Sequence, residues 1–157
     1  MLYTVNKMFK KGVFSLIILL FLIMAAGAQE ADYVFPPQAI LNASYVGDEG
    51  MVREILAEGA DKDVRNAFGD TALHIAVYQP NLMIIKLLLD YGFDPNAVAT
   101  RNGNTPLHNA VAANNVNAAR LLLQYGANKN IRANDGQTPL EKARKEEKRE
   151  LILLLYR

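Results

Sequence analysis

The sequence predicts an all-α solenoid, a row of helix pairs stacked side by side, and three recurrences predict it. The block Gly103-Asn104-Thr105-Pro106-Leu107-His108-Asn109-Ala110 has near-copies 34 residues upstream, from Gly69 to Ala76, and 33 downstream, from Gly136 to Ala143. The glycines Gly59, Gly92 and Gly126, each placed to end a helix, recur at spacings of 33 and 34. Leucine triplets at 87–89, 121–123 and 153–155 recur at 34 and 32. Such a period marks one supersecondary unit repeated, each copy too small to bury its apolar face alone.

The third copy shows how the unit folds. Thr105 is placed as a helix N-cap, and Pro106 sits at the first helical position, where its missing N–H costs nothing. Leu107 and Ala110 begin a buried stripe at helical spacing. Asn114-Asn115 tolerates the left-handed conformation that turns one short helix into the next. A second apolar helix, Ala118 to Leu123, stops at Gly126.

A period near 33 carrying a T-P-L-H-x-A block resembles the ankyrin repeat, and the resemblance covers roughly residues 38–157. Periodicity by itself shows only stacked helix pairs. The resemblance implies about four ankyrin repeats, near 38–65, 66–99, 100–132 and 133–157, with helix-turn-helix pairs joined by β-hairpin-like loops. It also implies that His74 and His108 bond to the threonines of their own motifs, Thr71 and Thr105, and to the backbone of the next repeat. Thr138 and Pro139 occupy the same motif positions in the last repeat.

The first 28 residues read differently. Lys7, Lys10 and Lys11 precede Val13 to Met24, an apolar run of 12 residues broken only by Ser15. Ala26-x-Ala28 follows, so the segment 1–28 is expected to be a secretory signal peptide cleaved after Ala28. The competing reading, an uncleaved anchor, suffers from length: the run stretches to 16 residues, against roughly 20 needed to span a bilayer. The chain has no cysteine, which excludes disulfides, thiolate metal sites and a lipid-modified N-terminal cysteine. Of 17 basic and 16 acidic residues, three basic and no acidic ones lie in the first 28, so the mature chain carries −2. That balance argues against a nucleic-acid binder or an anionic-membrane binder.

Residues 29–37 form a lead-in stiffened by Pro36-Pro37. The first repeat, with helices at 39–46 and 51–58, lacks the T-P-L-H block, as suits a terminal unit. The second departs from the pattern: Ala72 replaces proline, Pro80-Asn81 replaces the usual turn, and Phe93 is expected to fill a local gap. Its link through Ala97-Val98-Ala99-Thr100 is one residue longer than the norm, so the tip around Arg101-Asn102 is expected to protrude or bulge. The fourth repeat replaces histidine by Glu141, which makes Thr138-x-x-Glu141 a capping box. Its charged run from Lys142 to Glu150 is expected to be a solvated outer face, and Leu151 to Leu155 to close the core.

Catalytic chemistry finds little material. The two histidines share one scaffold position, and the only serines are Ser15 and Ser44. A Ser/His/Asp constellation is nearly excluded, and a cysteine nucleophile is impossible. No phosphate-cradling glycine loop or metal-spaced cluster appears. No catalytic residue, cofactor or metal is expected.

A binding module remains. The resemblance places partner contacts on the hairpin tips and along the first helices, which together form a concave face. By register these are Phe68 and Asp70, then Arg101, Asn102 and Asn104, then Asn134 and Asp135 on the tips. Tyr78, Gln79 and Lys145 lie on the helices, with Tyr45 in the same row. Tyrosine and arginine commonly anchor interfaces. Tyr45 and Tyr78 serve inter-repeat packing equally well, whereas Phe68 at a loop tip has no evident core duty. The small Ala112 is expected to leave a shallow recess beside Tyr78. Two functions follow. One is a monomeric, exported, non-catalytic scaffold binding a protein partner in the periplasm, without stable membrane insertion. The other is a secreted effector that binds a host protein; an enzyme is a distant third.

Overall fold

The threonines Thr71, Thr105 and Thr138 each open a short helix because threonine caps it and the residue three positions on, His74, His108 or Glu141, caps the threonine in return. In the computed structural model, which describes residues 35–156, eight helices follow in pairs. They are α1 (Ala39–Val46), α2 (Glu49–Ala57), α3 (Ala72–Ala76), α4 (Leu82–Tyr91), α5 (Pro106–Ala112), α6 (Val116–Gln124), α7 (Pro139–Lys145) and α8 (Arg149–Tyr156). The segment read as a signal peptide lies outside the described residues.

The helices form two layers. The first helices pack in the order α1, α3, α5, α7 and the second in the order α2, α4, α6, α8, each pair also packed on itself. Between the layers lies one core, from Ile40 and Val52 at one end through Leu73, Ile84, Leu88, Leu107 and Leu122 to Leu151 and Leu155 at the other. Phe93 is buried within it, its ring 6.2 Å from that of Tyr91, so it does fill the gap. Ser44 is fully buried and its hydroxyl has no hydrogen-bond partner.

The turns between paired helices follow one backbone rule. Gly47, Asn114 and Glu147 hold the left-handed conformation, with φ of 80°, 53° and 55°, and the second repeat puts Pro80 at that place. The proline ring fixes φ near −65° and cannot take the turn. The chain leaves the helix earlier instead, so α3 has 5 residues where α5 and α7 have 7. Asp48, Asn81 and Asn115 then cap the second helices, accepting from Met51 N–H at 2.9 Å, Met83 N–H at 3.0 Å and Ala118 N–H at 2.9 Å.

The links between repeats are tight loops closed by backbone hydrogen bonds, with no strand assigned among the described residues. Asn66 N–H donates to Asp70 C=O at 3.0 Å, and Ala133 N–H to Gln137 C=O at 3.0 Å. In the middle loop the corresponding bond runs from Ala99 to Asn104, at 2.8 Å. That loop is one residue wider, so the additional residue is accommodated in the tip, beside Arg101. Adjacent tips are joined sideways: Arg101 N–H donates to Phe68 C=O at 3.1 Å and Asn134 N–H to Asn102 C=O at 3.0 Å.

The last helix corrects one expectation. Leu151 and Leu155 are buried, but Leu153 is 68% exposed and Ile152 and Leu154 are half-buried. By burial, Leu155 corresponds to Leu122 and Leu151 to Ala118, a step of 33. Leu153 therefore stands where α6 carries Arg120. The leucine triplets match as letters but are one residue out of register as a packed face.

The sideways joints bear on which tip glycines can be replaced. A Cβ on Gly103 would lie 2.6 Å from the Asn134 backbone nitrogen, whereas one on Gly136 would meet nothing within 4 Å. Both glycines have positive φ, 72° and 77°. Gly136→Ala should therefore cost about 1–2 kcal/mol for the left-handed backbone alone. Gly103→Ala should cost at least about 1 kcal/mol more, because the neighbouring tip must shift. Paired denaturant melts would measure the difference; equal losses would mean that the tips are not in contact in solution.

Candidate functional site

The motif histidines couple one repeat to the next. His74 Nδ1 lies 2.9 Å from Thr71 Oγ1 and accepts from Thr71 N–H at 3.2 Å. Its Nε2 lies 3.0 Å from Asn104 C=O, in the following tip. A carbonyl only accepts, so the proton sits on Nε2 and Nδ1 is the acceptor. His108 repeats the arrangement with Thr105 at 2.9 and 3.1 Å and with Gln137 C=O at 3.0 Å. Both rings are fully buried and every ring nitrogen is used. Glu141 caps Thr138 N–H at 2.8 Å in the last repeat, and Arg132 holds its carboxylate at 2.7 and 3.2 Å.

A second ladder, which the motif does not announce, satisfies carbonyls at the ends of the first helices. Gln79 Nε2 donates to Tyr45 C=O at 2.6 Å, and Asn115 Nδ2 donates to Val77 C=O at 3.0 Å. Lys148 Nζ donates to Val111 and Ala112 C=O at 2.5 and 2.8 Å, and pairs with Glu146 at 2.6 Å. Lys148 belongs to the charged run expected to be solvated, but it spends its charge on the neighbouring repeat.

The residues chosen for partner contact divide by what their side chains already do. Asn102 Oδ1 accepts from Asn104 N–H at 2.9 Å and Asp135 Oδ1 from Gln137 N–H at 3.0 Å, so both brace their own tips. Asn104 Nδ2 reaches Asn109 Oδ1 at 3.2 Å, and Asp70 accepts from Asn66 at 3.3 Å. Asn134 Nδ2 lies 3.4 Å from Arg101 C=O, and Gln79 is engaged as above.

Phe68, Arg101, Tyr78 and Lys145 are exposed. Phe68 is 50% and Tyr78 55% exposed, with Tyr45 at 72% in the same row. The Arg101 guanidinium lies over the Phe68 ring, 4.8 Å from its centroid. Partial burial raises the Tyr78 phenol above its ordinary pKa, and the carboxylates of Asp70 and Glu146 raise it further.

A groove of about 360 Å³ opens on this face, lined by Gln38, Leu41, Asn42, Tyr45, Arg65, Asn66, Ala67 and Ile75. It lies between α1, α3 and the first hairpin, nearer the N-terminal end than the recess expected at Ala112. A second recess, of about 300 Å³, lies between α4 and α6 and includes Met83, Lys86 and Arg120. Among the described residues no group of three or more His, Asp or Glu side chains is placed to hold a metal ion.

Comparison with known proteins agrees with this geometry. The family described as ankyrin repeats (3 copies) matches residues 40–133 and again 102–157. The chain belongs to the ankyrin-repeat family. It is 39% identical over 57 residues to an ankyrin repeat-containing protein of Treponema pallidum (strain Nichols), covering 36% of this chain and 19% of that protein. It is 41% identical over 58 residues to alpha-latrotoxin-Lg1a of Latrodectus geometricus, covering 37% of this chain and 4% of the toxin. The chain thus spans less than a fifth of the length of each, and the likeness is that of the repeats themselves.

The buried histidines make stability depend on pH. Burial pushes both imidazoles below their ordinary value of 6.5, only partly offset by the hydrogen bonds to Asn104 and Gln137. The folded chain holds them neutral while the unfolded chain takes up protons below about 6.5, so stability is full above that value and declines beneath it. Melting temperatures should fall from about pH 7 toward about pH 5, before most carboxylates titrate. The fall should shrink when both histidines are replaced; an unchanged slope would assign it to other groups. His108→Ala should cost about 1–3 kcal/mol by stranding buried partners. Hydrogen exchange should then show α7 and α8 loosening before α3 and α4.

Proposed function

We propose that the chain is an exported, non-catalytic binding module that holds a protein partner against the concave face and hairpin tips, in the periplasm. Ankyrin repeats imply a protein–protein interaction module. The observation that carries the placement is the set of exposed rings Tyr45, Phe68 and Tyr78 on the first helices and the first tip, with Tyr45 lining the groove beside Leu41 and Ile75. Large apolar groups kept in water by a scaffold that could bury them are the usual material of an interface core. Export is supported by Lys7, Lys10 and Lys11, the apolar run and Ala26-x-Ala28. Among the described residues no helix is long and apolar enough to cross a membrane.

Two measurements test the two halves of this reading. Mass spectrometry of the protein from its source should find an N-terminus at Gln29 in a soluble envelope fraction. Retention of Met1 or Met8 with the membrane pellet would make the segment an anchor. For the surface, a partner captured by crosslinking from envelope extract should bind Phe68→Ala and Tyr78→Ala at least about tenfold more weakly, with little change in melting temperature. Lys86→Ala and Arg120→Ala, between α4 and α6, should bind normally. Loss confined to that second pair would move the interface to the opposite layer. Unfolding of Tyr78→Ala would make that ring a packing residue.

A further inference from the structure

Three arginines stand along the hairpin row, and two of them are already committed. Arg65 donates to Gly69 C=O at 2.8 Å and Val98 C=O at 2.9 Å. Arg132 is fixed on the Glu141 carboxylate. Arg101 is different. Its guanidinium lies 4.8 Å from the Phe68 ring centroid, and among the described residues neither a carboxylate nor a hydrogen-bond acceptor meets it. A guanidinium resting on a ring is restricted in its motion while its N–H groups stay free to donate, so less freedom is lost when they bind something. The backbone bond from Arg101 to Phe68, at 3.1 Å, fixes the spacing of the two tips.

The surroundings decide the sign and the size of what binds there. Asn66 and Ala67, adjoining Phe68 in the chain, form one wall of the 360 Å³ groove, and no acidic residue lines it. A groove that sets Leu41, Ala67 and Ile75 among polar side chains is thus linked, through the Ala67–Phe68 tip, to a cation with no ion-pair partner among the described residues. We propose that the partner presents a carboxylate, an Asp or Glu side chain of a protein segment, to the N–H edge of Arg101. An apolar side chain of the same segment then enters the groove over Leu41 and Ile75. Two parallel N–H···O bonds to a carboxylate are the strongest use of that fork. Phe68 is the positioning residue. The inference rests on the concave-face reading and narrows it to one chemistry.

A displayed random heptapeptide library selected against the full chain tests it. Enriched peptides should pair Asp or Glu with an apolar residue a few positions away. Resynthesis with the acid replaced by its amide should weaken binding at least about tenfold. Arg101→Gln should weaken the acidic peptide by a similar factor and leave the amide peptide unchanged, while Arg101→Lys recovers part of the loss. The amide peptide leaves the protein untouched, so this arm holds even if a variant folds poorly. Enriched peptides that lack an acid, or bind Arg101→Gln equally well, while still needing Phe68 and Tyr78, would overturn the carboxylate inference and keep the concave face. Binding indifferent to Phe68, Tyr78 and Arg101, or no enrichment at all, would overturn both.

Discussion

The second, third and fourth repeats are joined by a neutral imidazole that reaches from one repeat to the next. His74 and His108 each accept from their own threonine and donate to a carbonyl of the following tip. One ring thus holds a helix start, a hairpin and an interface in fixed relation. The apolar contacts between layers supply most of the favourable free energy of burial, but they are non-directional and leave the repeats free to slide. The imidazole bonds are directional and sit inside the stack. They set the spacing on which the sideways bonds between tips rely.

In the fourth repeat that device changes. Glu141 occupies the histidine position of the last repeat, turns back on Thr138 N–H and is held by Arg132. A carboxylate has no proton to offer onward at neutral pH, so the scaffold position that reaches the following repeat in the second and third units serves Thr138 and Arg132 in this one. The second ladder shows the same economy of geometry with less regard for residue type. Gln79, Asn115 and Lys148 differ in length and charge, yet each brings an N–H to the carbonyls that end the preceding first helix.

Much of the fold was legible because the T-P-L-H block states a cap, a turn and a buried stripe in eight letters. The histidine pairing was legible only through the resemblance to ankyrin repeats; the residues alone say that two histidines share a position. The carbonyl ladder was not legible, since three unlike residues, Gln79, Asn115 and Lys148, perform one task. The leucine triplets misled for the opposite reason. They repeat as letters, but the packed face of α8 runs at a step of 33, which leaves Leu153 in water. At the surface, exposure could be guessed for Phe68 and Arg101 from their place on tips. That Asn102 and Asp135 are occupied with their own turns, and Arg101 is not, required coordinates.

The widened middle loop has a wider meaning. An insertion inside a helix would rotate every later side chain by 100° and scramble the layer. At a tip the added residue disturbs no helix, because the closing bond between Ala99 and Asn104 absorbs it and His74, in the repeat before, still finds the Asn104 carbonyl. Chain length at the tips is therefore a variable that mutation can change without touching the stack. In such an architecture new surface can arise by a single inserted codon as readily as by substitution.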